Sequence, residues 1–483
     1  MMESRYVIIH GHFYQPPRES PWTGRISPEP GAQPFENWNE RILSECYTAN
    51  AHAHTMEGHV VHVRNNYEML SFDVGPTLAA WLERHGQAAY RAMRRADQMS
   101  AGQRNGHGNA IAQSYSHSIL PLLSERDRAL EIAWGIGDFE YRFGRRPEGM
   151  WLPECAADQP TLRILAHAGI RFVILGADQG HYEPVGDGIE AGPFQWNEGD
   201  LSLAVMRFDR GLSAEIAFND LVGDGARFAE AIANRALALR PGAALLIATD
   251  GETFGHHKRN GAAELARAML LLERRDDIVV TNCAEYLARS QAVGGFRIDA
   301  ASSWSCAHGV ERWRADCGCR MTPGTSQQWR APLRAAMEFV TNHADFVYQR
   351  FAVGLVADPE AALARSIILA LDQRAEVQEK FFAEHRLHST RDRERALTLF
   401  EMERAAAAAL TSCGWFFDDF GGPEGRIVLR WAARAVELAA QFMPSVETEL
   451  VERLRRIRSA RREIGDAATL YLSLKTREAR GRL

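Results

Sequence analysis

Short apolar runs alternate with longer amphipathic segments over the first three hundred residues of the chain. The apolar runs are typical of buried strands, and they occupy residues 6–11, 70–74, 109–115, 149–153, 171–176, 203–209 and 244–249. Between them, apolar residues three and four positions apart predict helices at residues 77–93, 125–143, 159–168, 226–239 and 262–273. Strands that alternate with helices predict an α/β fold built on a parallel sheet.

Polar side chains end nearly every one of the seven runs. These endings are His10 and His12, Asp73, Gln113 with His117, Glu154, Asp209 and Asp250. Because the carboxyl ends of parallel strands meet at one edge of a sheet, we expect these side chains to converge on one pocket. A closed or nearly closed barrel is the favoured architecture, and a doubly wound open sheet is the alternative.

The pattern changes after about residue 300. Residues 301–330 form an irregular stretch of aromatic and polar residues, and residues 331–483 show helical periods of Ala, Arg, Glu and Leu. We therefore expect three parts: a (β/α) barrel over residues 1–300, an aromatic loop bordering a site over 301–330, and an α-helical bundle domain over 331–483.

Composition and charge exclude some classes of partner. With 56 basic and 62 acidic residues the net charge is −6, and the two signs are interleaved, so nucleic-acid binding is not expected. No apolar run approaches the roughly 18 residues of a membrane span, and the first residues lack a secretory pattern. We expect a cytoplasmic protein that does not bind a membrane.

The seven cysteines are an odd number spread through a long chain, which favours reduced thiols over disulfides. Cys306, Cys317 and Cys319 lie close together and raise the question of a zinc site. A fourth ligand and paired C-x-x-C spacing are missing from the pattern. We predict no metal and no cofactor, and the pattern does not decide whether these three cysteines bind metal.

Two carboxylic acids stand out as candidates for chemistry. Glu154 follows Pro153 in G-M-W-L-P-E-C, close to Trp151, and Asp250 ends the apolar run of L-L-I-A-T-D-G-E-T-F-G-H-H. An aromatic ring stacks on the apolar face of a sugar, and two carboxyl groups flanking a glycosidic bond are the minimum for its cleavage. The alternative for Glu154 is an exposed loop residue near a core tryptophan.

The motifs H-G-H-F-Y-Q-P, R-F-G-R-R-P-E-G-M-W-L-P-E and A-T-D-G-E-T-F-G-H-H resemble the ordered motifs of glycoside hydrolase family 57, over roughly residues 5–310. The later S-C-G-W-F-F-D-D stretch resembles an uncharacterised helical domain that accompanies one branch of that family. The resemblance implies an incomplete (β/α)7 barrel followed by a helical domain. It also implies a retaining mechanism on α-glucans, with Glu154 as nucleophile and Asp250 as acid/base.

The resemblance and the strand-end positions also suggest residues that bind substrate. They are His10, His12, His117, Trp151, Glu252, His256, Trp304 and His308. Structural alternatives stay open for several of them: hydrogen-bonded core histidines for His10, His12 and His117, and interface packing for Trp304 and His308. Glu252 is expected to raise the pKa of Asp250 or to orient His256. The first motif carries two residues before Gln-Pro that the commoner H-x-H-Q-P form lacks.

The sequence thus predicts a retaining α-glucan-active glycoside hydrolase or transglycosylase acting on an oligo- or polysaccharide. One alternative is a metal-dependent, polysaccharide deacetylase-like hydrolase that uses His10, His12 and nearby carboxylates. A second is a non-catalytic glycan-binding protein in which the helical domain is the working part. Linkage, chain length, oligomeric state and the choice between hydrolysis and transfer do not follow from the sequence.

Overall fold

The computed structural model describes residues 4–183 and 190–481. Within these residues the chain forms two compact units. Unit 1 runs to Gln15 and then comprises Pro28–Gln113 and Arg142–Ala300, while unit 2 comprises Pro16–Ser27, Ser114–Tyr141 and the chain from Ala301 onward. The sequence pattern placed the two short segments of unit 2 with the first three hundred residues. Among the described residues, every helix is too short or too polar to cross a membrane.

The described strands all belong to unit 1. They are β1 (Arg5–Phe13), β2 (Ala53–Glu57), β3 (Val60–Arg64), β4 (Ser71–Val74), β5 (Ala110–Gln113), β6 (Gly149–Trp151), β7 (Phe172–Gly176), β8 (His181–Tyr182), β9 (Phe194–Glu198), β10 (Leu201–Phe208), β11 (Ala244–Asp250), β12 (Ile278–Val280) and β13 (Gly294–Arg297).

Seven of these strands form a continuous parallel sheet in the order β11-β1-β4-β5-β6-β7-β10. They coincide with the seven apolar runs, so the prediction of a parallel α/β sheet is confirmed. The runs are apolar throughout because both faces of these strands are covered: every residue of β5 and β7, and all of β11 except Asp250, is buried.

The sheet curves into a barrel that no strand ladder closes. Among the described residues no ladder joins β10 to β11, but two backbone hydrogen bonds cross the gap. Ala191 N–H donates to the carbonyl of Ala244 at 2.9 Å, and Asp209 N–H donates to that of Leu246 at 2.7 Å. The expectation of an incomplete seven-stranded barrel is therefore confirmed.

The sequence pattern missed the shorter strands. β9 and β13 extend the sheet beyond β10, β8 pairs with β13, β12 pairs with the start of β1, and β2 and β3 form a separate hairpin. The hairpin escaped detection because its valines are exposed: Val60, Val61 and Val63 are each more than half accessible. Such a strand lacks the run of buried apolar residues from which the other strands were predicted.

Helices connect the strands and make up most of unit 2. They are α1 (Trp38–Ile42), α2 (Thr48–Ala51), α3 (Pro76–His85), α4 (Gln87–Gln103), α5 (Glu125–Phe143), α6 (Gln159–His167), α7 (Arg210–Phe218), α8 (Gly225–Leu237), α9 (Gly261–Glu273), α10 (Cys283–Arg289), α11 (Arg330–Ala352), α12 (Pro359–Arg365), α13 (Ile367–Leu371), α14 (Ala375–Glu384), α15 (Thr390–Ala408), α16 (Cys413–Phe416), α17 (Pro423–Ala439), α18 (Glu447–Arg455) and α19 (Ala467–Gly481).

The predicted helix over residues 77–93 is divided in the structure at Gly86, which ends α3 and precedes α4. Glycine costs about 1 kcal/mol relative to alanine inside a helix, so it favours a break. In unit 2, α15 packs against α17 and α11. The expected helical domain after the barrel is confirmed.

Candidate active site

The carboxyl edge of the barrel brings polar residues from adjacent strands into one row. His12 of β1 lies opposite Asp250 of β11 and, on its other side, opposite Asp73 of β4. Gln113 of β5 lies opposite Trp151 of β6. The register thus aligns Asp250, His12 and Asp73, whereas Gln113 and Trp151 lie two residues beyond Ile111, the partner of Asp73.

Asp73 is the centre of a buried hydrogen-bond network. Its carboxylate accepts from His10 Nε2 at 3.0 Å, from His12 Nδ1 at 2.8 Å and from Gln113 Nε2 at 3.1 Å. His10 Nδ1 lies 3.0 Å from the hydroxyl of Ser71. Burial lowers the pKa of His10, so its ring is neutral and its Nδ1 accepts from Ser71. Both of its nitrogens are thereby used within the protein.

His12 has the opposite charge behaviour to His10. Burial disfavours its cation, but the charge and hydrogen bond of Asp73, together with the charges of Asp250 and Glu252, outweigh burial and raise the pKa of His12 to about 9. His12 is therefore an imidazolium at neutral pH. It places a fixed positive charge among three carboxyl groups, where it stabilises their ionised forms.

Trp151 packs beneath the two histidines of β1, and its position shows how strongly the sheet curves. Its ring stacks on His10 at 4.9 Å between centroids and on His12 at 5.0 Å, with interplanar angles of 19° and 20°. Strands β1 and β6 are three places apart in the sheet, about 14 Å if the sheet were flat. Ring contact across that distance requires both strands to face a common barrel interior.

Glu154 lies in a sharp turn directly after β6. Pro153, Glu154 and Cys155 form a short 3-10 turn in which Glu154 has φ 57° and Cys155 has φ 50°. Two successive non-glycine residues in the left-handed region store strain of roughly 1–3 kcal/mol each, a feature that concentrates at functional sites. Trp151 and Cys155 are fully buried, whereas Glu154 is only half-buried.

The Cys155 thiol links the two candidate acids. Burial raises its pKa, and the charges of Glu154, Asp73 and Asp250 raise it further. The buried sulfur of Cys155 thus interacts electrostatically with carboxyl groups at the ends of β6, β4 and β11. Glu154 and Asp250, which are far apart in sequence, therefore belong to one electrostatic neighbourhood.

Asp250 is the exposed tip of an otherwise buried strand. Protein packed around its carboxyl raises its pKa, helped by the charge of Asp73 and opposed by His12 and His257. Because the side chain still reaches solvent, screening reduces these effects. A carboxyl group that is accessible and yet easier to protonate than a free aspartic acid is suited to donating a proton.

Glu252 follows Asp250 in a 3-10 turn and is almost inaccessible. Its Oε1 accepts from the backbone N–H of Tyr14 at 3.1 Å and from the hydroxyl of Tyr47 at 2.7 Å. Burial raises its pKa to about 7, the Tyr47 hydrogen bond opposes this and the charge of Asp250 adds to it. Glu252 therefore anchors the loop after β1 beside Asp250.

The two histidines of this turn have different partners. His256 Nδ1 lies 2.5 Å from Glu45 Oε2, so Glu45, not the Glu252 side chain, orients its ring. His257 is exposed and interacts electrostatically with Asp250. Gly255 between them and Asp250 is required as glycine: its φ is 138° and a Cβ would lie 2.2 Å from the carbonyl of Glu45.

Three predicted substrate-binding residues belong to unit 2. His117 is buried with φ 56°, and its Nδ1 lies 2.6 Å from Ser412 Oγ, which is the contact of a satisfied core histidine. Trp304 is half-buried. His308 is exposed, with its Nδ1 3.6 Å from Cys319 Sγ. Sugar binding by these three residues stays a prediction.

Arg207 and Asp209, at the end of β10, bind different partners. Asp209 Oδ2 pairs with Arg235 Nε at 2.6 Å, and Asp209 Oδ1 accepts from the N–H of Leu212 to cap α7. Arg207 instead donates to the carbonyl of Glu190 at 3.1 Å and covers the ring of Phe194. This strand ending is thus structural.

Sequence reasoning underrated Asp73 and missed Tyr47 and His257. Asp73 was visible as a strand ending, but its role depends on two histidines that arrive from β1. Tyr47 lies in a short π-helix far from any motif and is recognisable only through its bond to Glu252.

An incomplete parallel barrel with two acids at separate strand ends and a charged histidine–aspartate network between them defines an α/β-barrel enzyme site. The chain belongs to glycosyl hydrolase family 57, whose family model matches residues 35–298. A second model, for a domain of unknown function (DUF3536), matches residues 326–479.

Similar proteins agree with this family. A 1,4-alpha-glucan branching enzyme of Thermococcus kodakarensis is 45% identical over 56 residues, 11% of this chain and 8% of the relative. Alpha-amylase 1 of Dictyoglomus thermophilum is 29% identical over 113 residues, 23% of this chain and 16% of the relative. The matches thus span less than a fifth of either relative's length.

Among solved structures, an exo-type maltose-forming amylase from Pyrococcus sp. ST04 is similar in fold. The TM-score is 0.71 at 15% identity, and the match covers 97% of this chain and 88% of that one.

Proposed function

We propose that this chain is a retaining α-glucan-active glycoside hydrolase or transglycosylase, with Glu154 as nucleophile and Asp250 as acid/base. The observation that carries the proposal is geometric: His12 lies opposite Asp250 in the sheet, and its ring stacks at 5.0 Å on Trp151, three residues before Glu154. Family membership supplies the reaction class. The amylase and branching-enzyme names of the similar proteins supply the α-glucan substrate.

The charges around the two acids fit their separate tasks. Asp250 must be protonated to donate to the leaving oxygen, and surrounding protein together with the Asp73 charge raises its pKa in that direction. Glu154 must be ionised to attack the anomeric carbon, and the nearby imidazolium of His12 favours negative charge in this part of the site. After the glycosyl-enzyme forms, Asp250 accepts a proton from the incoming water or sugar hydroxyl.

The buried row positions the sugar in this proposal. Trp151 is fully buried, so its ring supports the rings of His10 and His12 at the base of the site and does not itself face solvent. His12 and Glu252 lie within electrostatic reach of Asp250, and the hydroxyls of a glucose unit match such charged groups. Residues 1–300 are then the catalytic part of the chain.

The oxidation state of the cysteines indicates the cellular compartment. Each of the seven is free of a disulfide, which is expected of a reducing environment. We accordingly propose a cytoplasmic location.

The proposal is tested by rescue of two alanine variants with azide on an α-maltosyl fluoride. In Glu154→Ala, azide takes the place of the nucleophile and attacks once, so the product is the inverted β-azide. In Asp250→Ala the fluoride leaves without acid help, and azide then attacks the glycosyl-enzyme to give the retained α-azide. NMR of the products distinguishes the two anomers.

Asp209→Ala serves as the matched control, because Asp209 also ends a strand but only pairs with Arg235 and caps α7. We expect it to keep turnover without azide. Identical azide products from both variants would contradict the assigned roles, and undiminished turnover in both would contradict catalysis at this site. Product sizes from amylose separate hydrolysis from transfer.

A further inference from the structure

A cluster of three cysteines and one histidine lies in unit 2, outside the site described above. Cys306 Sγ lies 3.9 Å from Cys317 Sγ and 3.8 Å from Cys319 Sγ, and Cys319 Sγ lies 3.6 Å from His308 Nδ1. The four ligand atoms all lie within 4.8 Å of one another. Among the described residues no other group of three or more His, Cys, Asp and Glu side chains offers such a ligand set.

These separations are those of a tetrahedron around one metal ion. Zinc binds thiolate sulfur at about 2.3 Å and imidazole nitrogen at about 2.0–2.1 Å, so its ligand sulfurs lie roughly 3.8 Å apart. The same separations are far too long for a disulfide, whose sulfurs are about 2.05 Å apart. Three sulfurs in mutual proximity would also leave one thiol without a partner in any disulfide pairing.

We propose that Cys306, His308, Cys317 and Cys319 form a structural zinc site. The ligand set is Cys₃His, and all four positions of the tetrahedron are occupied by protein. Closed sites of this kind stabilise a fold, whereas catalytic zinc keeps a position for water. Binding converts three thiols to thiolates and releases their three protons to solvent.

The ligands come in two short pairs along the chain. His308 follows Cys306 by two positions and Cys319 follows Cys317 by two positions, and the 3-10 turn at Glu311–Trp313 lies between the two pairs.

A buried arginine supplies an independent argument. Arg330 is fully buried next to Cys317 and Cys319, and its Nη1 donates to the carbonyl of Cys319 at 2.9 Å. Its Nε and Nη2 are buried and lack a hydrogen-bond partner among the described residues. The neighbouring carboxylate, Asp418, already accepts from Met321 and Thr322. A Zn²⁺ ion with three thiolates carries one net negative charge, which offsets the buried guanidinium.

The site gives a physical reason for order in an irregular segment. Residues 299–325 lie between the ranges that the two family models match, and only a short 3-10 turn at Glu311–Trp313 interrupts their irregular backbone. A metal that joins Cys306 to Cys319 closes this segment into a compact loop. His308 then serves as a metal ligand, which replaces the substrate contact expected from the sequence.

The first test uses the unaltered full chain, produced without a histidine tag in zinc-supplemented medium and purified without chelator. We expect about one zinc per chain by mass spectrometric metal analysis, and X-ray absorption at the zinc edge showing three sulfurs at about 2.3 Å and one nitrogen at about 2.0 Å. Cobalt substitution is expected to give visible d–d bands and a thiolate-to-cobalt charge-transfer band.

The second test compares Cys317→Ser with Cys413→Ser, since both cysteines are half-buried in unit 2 and only Cys317 lies in the cluster. We expect Cys317→Ser to lose most of its zinc and to melt at a lower temperature, and Cys413→Ser to keep its zinc. If Cys317→Ser does not fold, the absorption spectra of the unaltered chain decide. Zinc-free protein after zinc-supplemented growth, a first shell without sulfur, iron in place of zinc, or equal zinc in both variants overturns the proposal.

Discussion

Glu252 in unit 1 and Glu403 in unit 2 are both nearly inaccessible carboxyl groups, and burial raises their pKa values to about 7 and about 8. Their surroundings differ. Glu252 follows a barrel strand and fixes Tyr14 and Tyr47 beside the exposed Asp250. Glu403 lies inside α15 with its Oε2 3.4 Å from Arg126 Nη1. Both glutamates therefore have a raised pKa. Only Glu252 lies at the end of a barrel strand beside the exposed Asp250.

The comparison shows why a perturbed pKa identifies a functional site only together with position. Arg126 also lies 3.0 Å from Asp345 and 3.4 Å from Glu360, so Glu403 is the buried member of an ion-pair network between helices. In unit 1 the Asp73 network instead leads to Asp250, which reaches solvent. An ion-pair network can shift pKa values and change the stability of the fold without taking part in catalysis.

The largest effect is expected from Asp73→Asn, which removes the charge that joins His10, His12 and Gln113. We expect kcat/KM to fall at least roughly tenfold, because His12 loses the partner that keeps it cationic beside Asp250. Loss of charged hydrogen bonds also costs about 1.5–3 kcal/mol of stability each.

This loss of stability has a definite pH dependence. The pKa of His12 is raised from 6.5 to about 9 on folding, so the stabilisation is complete below pH 6.5 and disappears as the pH rises through 9. Thermal melts should therefore show the largest difference between the unaltered chain and Asp73→Asn near pH 6 and a smaller one near pH 10. A difference that grows with pH would contradict this charge assignment.

A smaller and more selective effect is expected from the pair Glu252→Gln and Glu403→Gln. In both residues the pKa in the folded state exceeds the unfolded value of 4.5. As the pH rises above 4.5, the carboxyl group therefore ionises more readily in the unfolded chain, and the folded state loses stability up to about pH 7 for Glu252 and about pH 8 for Glu403. Glutamine removes this penalty. Both variants should gain stability relative to the unaltered chain between pH 4.5 and 8, as measured by melting temperature.

Their activities should differ. Glu252→Gln keeps an acceptor for Tyr14 and Tyr47 but loses a charge near Asp250, so we expect kcat/KM to fall roughly tenfold and its pH profile to lose an ionisation near 7. Glu403→Gln should leave both quantities unchanged. Equal effects of the two variants on activity would remove the distinction between the two regions.

The smallest effect is expected from His257→Gln, with His256→Gln as its matched control. A protonated His257 lowers the pKa of Asp250, while burial lowers the pKa of His257 itself; His256 is bound to Glu45. Removing His257 should raise the pKa of Asp250 and move the alkaline limb of kcat/KM upward by less than about one pH unit. A shift in His256→Gln alone would restore the role that the motif suggested for His256.

Most of the barrel could be predicted from the sequence because its strands are buried on both faces and end in polar residues. Neither feature holds for the hairpin of β2 and β3, whose valines face solvent. Glu154 and Asp250 stand out in the sequence as candidates because each lies at the end of such a strand within a recognisable motif. Tyr47 and His257 do not stand out, since only the folded chain brings them to Glu252 and Asp250.

The cysteine cluster marks a different limit of sequence reasoning. Cys306 and His308 are separated from Cys317 and Cys319 by an irregular loop, without the paired C-x-x-C spacing that indicates zinc. The fourth ligand of the proposed site, His308, is present in the sequence but is one of several histidines that were expected to bind sugar. The distances between side-chain atoms are what favour the metal-binding role.

The central claim is that Glu154 forms the covalent bond to the sugar while Asp250 exchanges the proton. Its most direct test is to trap the intermediate with a 5-fluoro-α-maltosyl fluoride and to locate the label by mass spectrometry of peptic peptides. The account predicts one added sugar on the peptide that contains Glu154, and none in Glu154→Gln. A label on another carboxylate, or continued turnover of α-glucan by Glu154→Gln, would contradict it.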